Sequence, residues 1–121
     1  RDYSYADNGF IPALLILELM SKKNMSLHDL LRPLRERYFI SGEINTKLAS
    51  MREVPAKLAA IEARYKDAHL GTLDGISVDY PDWHFNVRAS NTEPLLRLNL
   101  EAATPADMER RRDEVLAIIR G

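Results

Sequence analysis

Residues 38–121 predict an α+β domain. Three runs alternate apolar and polar residues, short turns join them, and two further segments carry apolar residues at helical spacing. The order strand, helix, strand, strand, strand, helix implies a four-stranded, mainly antiparallel sheet with two helices packed on one face. Residues 1–37 add helices but no strand, so they are expected to close a neighbouring α/β domain.

Each element has a local reason. Asp7 or Asn8 can cap a helix beginning near Pro12, where a first-turn proline costs nothing. Its body, ALLILELMSK, is apolar on almost every face and should be enclosed on several sides. A shorter helix comes next in NMSLHDLL, with Ser26 and Asp29 spaced as a capping box, and Pro33 is expected to end it. YFISGEINTKL then reads as extended, interrupted by Gly42. In VPAKLAAIEARY, Pro55 sits in the first turn, and Val54, Leu58, Ile61 and Tyr65 form a helical stripe.

Asp74–Gly75 turns the chain into a strand with Ile76, Val78 and Tyr80 on one face. WHFNVRAS points Trp83, Phe85 and Val87 one way and His84, Asn86 and Arg88 the other. LLRLNLEA repeats this with Leu96, Leu98 and Leu100. The last helix opens with Thr104 as cap, Pro105 at its first position and Asp107 near its positive end. Its buried stripe is Met108, Val115, Ile118 and Ile119.

Composition narrows the function. Seventeen Lys+Arg stand against 18 Asp+Glu, a formal charge of −1, so nothing draws the chain to nucleic acid or an anionic membrane. The longest apolar-rich run, FIPALLILELM, is about half the ~20 residues of a membrane span. With no cysteine, disulfides, thiolate catalysis and Cys-based zinc sites are excluded and a reducing compartment is compatible; the location expected is cytoplasmic. The first residue is Arg1, from which we expect a chain cut from a longer protein.

VRASNTEPLL, residues 87–96, joins two of the strands. Arg88 points away from the core at a strand end, and Ser90, Asn91 and Thr92 come after it with free backbone N–H groups expected. A guanidinium fork, short hydroxyls, an amide and a backbone nest are what phosphate oxygens bind. Ser, Asn, Thr and Pro are also ordinary hairpin-loop residues, and spacing leaves both readings open. Glu93 would suit a phosphate site only with its carboxylate turned outward.

The loop RASNTEP closely resembles the phosphate-binding loop of the α-D-phosphohexomutases, in the phosphomannomutase/phosphoglucomutase group. The likeness extends through RDYSYADNGFIPALLILELMSK, LRERYFISGEIN and LDGISVDYPDWHFNVRASNTEPLLRLNLEA, nearly the whole chain. Phosphoglucosamine-isomerising relatives tend to carry glycine at the position of Asn91, so the form here favours a hexose phosphate.

The resemblance implies a four-domain isomerase of carbohydrate metabolism, an intramolecular phosphotransferase and phosphoprotein. A phosphoserine and Mg2+ would interconvert hexose 1- and 6-phosphates through glucose or mannose 1,6-bisphosphate. Residues 1–37 then end domain 3 and residues 38–121 form domain 4. Arg88, Ser90, Asn91 and Thr92 would grip the phosphate that is not reacting. The family's phosphoserine motif, aspartate-rich metal loop and sugar-reading segment are absent, so no catalytic or metal-binding residue is expected here. The expected partners are a phosphosugar and the missing N-terminal domains.

A different class, a stand-alone α+β interaction module using its exposed sheet face, is disfavoured by the neutral charge and few outward aromatics. His28, His69 and His84 lack metal-ligand spacing, and Asp74, Asp79 and Asp82 read as turn and strand-edge residues. ERRRDE reads as a solvated helix face, its basic charge cancelled by Glu109, Asp113 and Glu114. Gly42, after the bend at Pro33, is either a hinge or a bulge in a fixed linker.

Overall fold

The computed structural model describes residues 8–121, which fall into two compact units divided between Glu36 and Arg37. The first holds α1 (Phe10–Lys23) and α2 (Leu27–Arg35). Asn8 Oδ1 accepts a hydrogen bond from Phe10 N–H at 2.8 Å, so Asn8 serves the helix start, while Asp7 lies outside the described residues. Asn24, with φ 48°, turns left-handed to end α1, and its N–H donates back to the last turn. Ser26 caps α2, accepting from Asp29 N–H at 3.1 Å and donating to the Asp29 carboxylate at 2.6 Å.

One expectation fails in this unit. Pro33 lies inside α2 rather than ending it, because proline removes one intrahelical donor and the Glu36 N–H still closes the final turn on Arg32 O at 2.9 Å. No residue of α1 is buried: Phe10, Leu14, Leu15 and Leu17 are exposed, so the described residues do not supply the enclosure its apolar faces call for. At 14 residues, α1 is also too short to cross a membrane, and no helix among the described residues is long and apolar enough to do so.

In the second unit the four expected strands are present, and the structure adds a short one. β1 (Phe39–Ile40) and β2 (Ile44–Lys47) are two pieces of the first strand, both paired with β6 (Leu95–Ala102). Gly42, at φ 69°, makes the break. Ser41 holds it closed: its N–H donates to Leu100 O at 2.8 Å, and its Oγ accepts from Leu100 N–H at 3.0 Å.

A 3-10 turn at Met51–Glu53 leads into α3 (Val54–Arg64), which crosses to the far edge. There β3 (His69–Gly71), too short to leave a period in the sequence, starts a meander through β4 (Ile76–Asp79) and β5 (Trp83–Ala89) to β6. The sheet order is β1-β6-β5-β4-β3, with every pairing antiparallel.

α3 packs over β4, α4 (Pro105–Arg120) packs over β6, and the two helices touch, covering one sheet face. The core beneath them contains Phe85, Val87, Leu96, Leu98, Leu100, Ile61, Val115 and Ile119. Leu116 joins it in addition to the expected α4 stripe, while Met108 and Ile118 pack against its margin. Thr104 caps α4 as expected, accepting from Asp107 N–H at 3.1 Å. The ERRRDE stretch is neutralised in place, with Arg111 paired to Glu114 and Arg112 to Asp113.

Tyr65 lies at the centre of an aromatic cluster, edge-on to Trp83 and Phe85 at 5.8 and 5.1 Å. Its hydroxyl is buried without a hydrogen-bond partner, and burial, together with the nearby Glu114 charge, pushes the phenol up to about 12. A raised phenol pKa stabilises the folded chain below the unfolded value of about 10. That stability is lost as pH rises towards the folded value. Tyr65→Phe should therefore flatten the fall in stability between about pH 10 and about pH 12, as read by urea denaturation. It should leave neutral-pH stability unchanged or higher, because an orphaned buried hydroxyl is removed.

Candidate functional site

The outward face of the sheet carries the polar half of each alternating strand. β5 and β6 pair so that Val87 meets Leu98 and Phe85 meets Leu100, all buried beneath the helices. Parity then sends Arg88 and Arg97 to the opposite face, directly across from one another. The connecting loop is closed by Ser90 N–H donating to Leu95 O at 3.0 Å. Ser90 is the one buried polar residue among those described, and its Oγ accepts from the N–H groups of Thr92 at 3.4 Å and Glu93 at 3.3 Å.

This corrects one expectation. The backbone N–H groups of Ser90, Thr92 and Glu93 are already engaged within the loop, because a connection this tight folds its donors onto its own acceptors. The donors left over are the Asn91 N–H and the side chains. Asn91 and Thr92 are exposed and their side chains make no hydrogen bond among the described residues. Arg88, Ala89, Ser90, Asn91, Thr92 and Arg97 line a cleft of about 270 Å³. The structure thus gathers all four predicted residues, Arg88, Ser90, Asn91 and Thr92, around one opening. Glu93 is exposed and lies outside its lining.

Volume does not single out this cleft. Openings of about 260 and 280 Å³ flank the Tyr80–Trp83 turn at the other end of β5. There Arg110 is tied to Asp107 at 2.7 Å, and Arg111 is spent on Glu114 and on the Trp83 ring. What the loop cleft adds is a pair of cations beside unengaged neutral donors, whereas Arg37 at the other end stacks on Tyr38. That combination suits a compact oxyanion.

Sequence pattern alone misses Arg97, although a signal exists. It alternates outward between Leu96 and Leu98, and the hairpin register brings it opposite Arg88. Its Nε is buried without a hydrogen-bond partner, a state that typically costs ~1–3 kcal/mol. Two acids attend the arginines. Arg88 Nη1 donates to Asp74 Oδ2 at 3.3 Å, and Glu43 lies 3.8 Å from both Arg88 Nη2 and Arg97 Nη1. In sequence Asp74 is only a turn residue, and nothing marks Glu43.

The histidines regroup as well. Asp79 stands across the ladder from both His69 and His84, and its carboxylate lies 2.5 Å from His84 Nδ1 and 3.6 Å from His69 Nδ1. The bond to His84, aided by the His69 ring, holds the Asp79 carboxyl below the usual carboxylate range. Sequence spacing could not reveal this, since the three residues meet only across strands. Among the described residues, no group of three or more His, Asp or Glu is placed to hold a metal ion.

Comparison with known proteins gives the family. Residues 43–118 match the family model described as "Phosphoglucomutase/phosphomannomutase, C-terminal domain". A phosphomannomutase of Escherichia coli is 46% identical over 99% of this chain, and phosphohexose mutases of Xanthomonas campestris are 44% identical over all of it. The chain spans about a quarter of the length of these relatives, 26% and 27%. A crystal structure of a phosphoglucomutase/phosphomannomutase family protein from Burkholderia thailandensis superposes with a TM-score of 0.56 at 29% identity. The match covers 76% of this chain and 19% of that one.

Gly75 couples the fold to the cleft. It sits at φ 72°, and a Cβ there would meet the Val87 carbonyl oxygen and the Arg88 Cα. Gly75→Ala should cost at least ~1–2 kcal/mol from the left-handed conformation alone, measured by urea denaturation. The contact falls on β5 itself, so the Arg88 amide resonance should move further than that of Phe85.

Proposed function

The chain belongs to the phosphoglucomutase/phosphomannomutase family through that family's C-terminal domain, and on this premise we propose that its second unit grips the substrate phosphate of a hexose-phosphate mutase. One observation carries the reading: Arg88 and Arg97, in register on neighbouring strands, line one cleft with Ser90, Asn91 and Thr92.

The donor set dictates the chemistry. A phosphate dianion between the two guanidiniums exchanges hydration for charge-assisted hydrogen bonds, each worth ~1.5–3 kcal/mol. The Asn91 amide and Thr92 hydroxyl reach the remaining oxygens, and the Ser90 hydroxyl proton is spent on no acceptor among the described residues. Ser90 therefore has two duties: its oxygen folds the loop and its proton is available to the anion.

A site built this way reads a phosphate and nothing of the sugar. That indifference suits a reaction in which the 1-phosphate, the 6-phosphate and the 1,6-bisphosphate must each present a phosphate to the same place. Binding energy gathered remotely from the reacting bond can be used to close the cleft and exclude water from a phosphorylated enzyme. The phosphoserine, the magnesium that assists the transfer and the sugar-reading segment belong, in this reading, to the rest of a longer protein. No step in this unit runs through a metal. Residues 1–37 are the end of its third domain, and the unburied apolar faces of α1 suit a helix that the rest of that domain covers. Gly42 breaks the first strand within the second unit, and because β1 and β2 on either side of it both pair with β6, it suits a fixed bulge rather than a hinge.

In the longer enzyme, Arg88→Ala and Arg97→Ala should each lower kcat/KM for glucose 1-phosphate by ~1.5–3 kcal/mol of lost stabilisation, with circular dichroism unchanged. Unaltered kcat/KM in both variants contradicts the assignment. The 121-residue chain alone should show no turnover in a coupled assay for glucose 6-phosphate.

A further inference from the structure

Two guanidiniums directly opposite one another on adjacent strands repel, and like charges at such positions destabilise a sheet. Something must hold Arg88 and Arg97 side by side. Asp74 reaches Arg88 only. The Glu43 carboxylate reaches both, with Oε2 3.8 Å from Arg88 Nη2 and Oε1 3.8 Å from Arg97 Nη1. Those separations lie within ion-pair range but beyond hydrogen-bonding distance, so the carboxylate offsets both charges without consuming their N–H donors.

The position of Glu43 is itself built. Gly42, at φ 69°, redirects the chain after Ser41 is pinned to Leu100, and β2 pairing fixes the backbone from Ile44 onward. Asn45, which faces Arg97 across the β2–β6 ladder, donates from Nδ2 to Glu43 Oε1 at 3.2 Å and orients the carboxylate. Ile44 packs against the core between them, which keeps Glu43 and Asn45 on the outward face.

We propose that Glu43 is a positioning residue of the anion site, holding the Arg88 and Arg97 guanidiniums side by side without taking a hydrogen bond from either, so that a phosphate meets a preformed pair of cations. The inference rests on the phosphate-gripping reading of the cleft. It makes a prediction whose sign is informative. By Coulomb's law alone, removing a negative charge beside a bound dianion strengthens binding. Positioning demands the reverse, because the freed arginines splay apart and the phosphate must reassemble them.

The test is titration of the 121-residue chain with inorganic phosphate and with glucose 1-phosphate, tracking the Asn91 and Thr92 amides and the arginine Nε–H signals. Arg88→Ala is carried alongside. Glu43→Gln, which keeps shape and loses charge, should weaken both ligands about fivefold, the order expected for a pair of partly exposed ion contacts. Its thermal midpoint should fall only slightly, by the repulsion left between the two arginines. Glu43→Asp, which restores the charge on a shorter stem, should recover part of the loss.

Equal or tighter binding by Glu43→Gln overturns the positioning role and leaves the phosphate grip intact. A loss of affinity accompanied by a loss of amide dispersion along the β2–β6 ladder also overturns it, since Glu43 would then be only structural. If the unaltered chain gives no saturable shift, or Arg88→Ala binds as well as it does, the underlying reading fails and this one with it.

Discussion

The antiparallel register of β5 with β6 is the constraint on which the cleft depends. Phe85, Val87, Leu98 and Leu100 are buried on one face, and each such side chain contributes ~1.5–3 kcal/mol relative to exposure. A slip of one residue would turn that whole set into water. Like charges opposite one another on a sheet cost only ~0.2–1 kcal/mol, so burial wins and Arg88 is forced to face Arg97. The cation pair is a consequence of the core, and the nearby carboxylates of Glu43 and Asp74 answer it.

Much of this is legible in the sequence because period-two alternation and end-capping are local signals. Trp83, Phe85 and Val87 turn inward, Thr104 caps α4, and Gly42 breaks the first strand, all as the residue pattern requires. The four loop residues meet at one cleft because a short hairpin keeps its own neighbours together. What escapes is non-local. Glu43 and Asp74 approach Arg88 from strands and turns 45 and 14 positions away in the chain, and His69, Asp79 and His84 meet only across ladder rungs. Arg97 lies between: the hairpin register is enough to predict it, but the alternating pattern draws attention to the leucines on either side.

Pro33 and the loop amides teach a second lesson. A proline rule gives the cost of a missing donor but not whether the neighbouring turns absorb it, and α2 absorbs it for two further residues. Likewise, a loop rich in Ser, Asn and Thr supplies many donors, and some are used to make the loop itself. Ser90 shows the division: buried, it accepts from two amides, while exposed Asn91 and Thr92 keep their side chains free. A recognition loop must first fold, and the residues that fold it differ from those it presents.

The most direct measurement is a crystal structure of the chain with a hexose monophosphate bound. The account places the phosphorus between the Arg88 and Arg97 guanidiniums, with Asn91 and Thr92 on the remaining oxygens and the sugar pointing out of the cleft. A phosphate bound elsewhere on the sheet face, or one in the cleft with Arg97 turned away from it, would contradict that account.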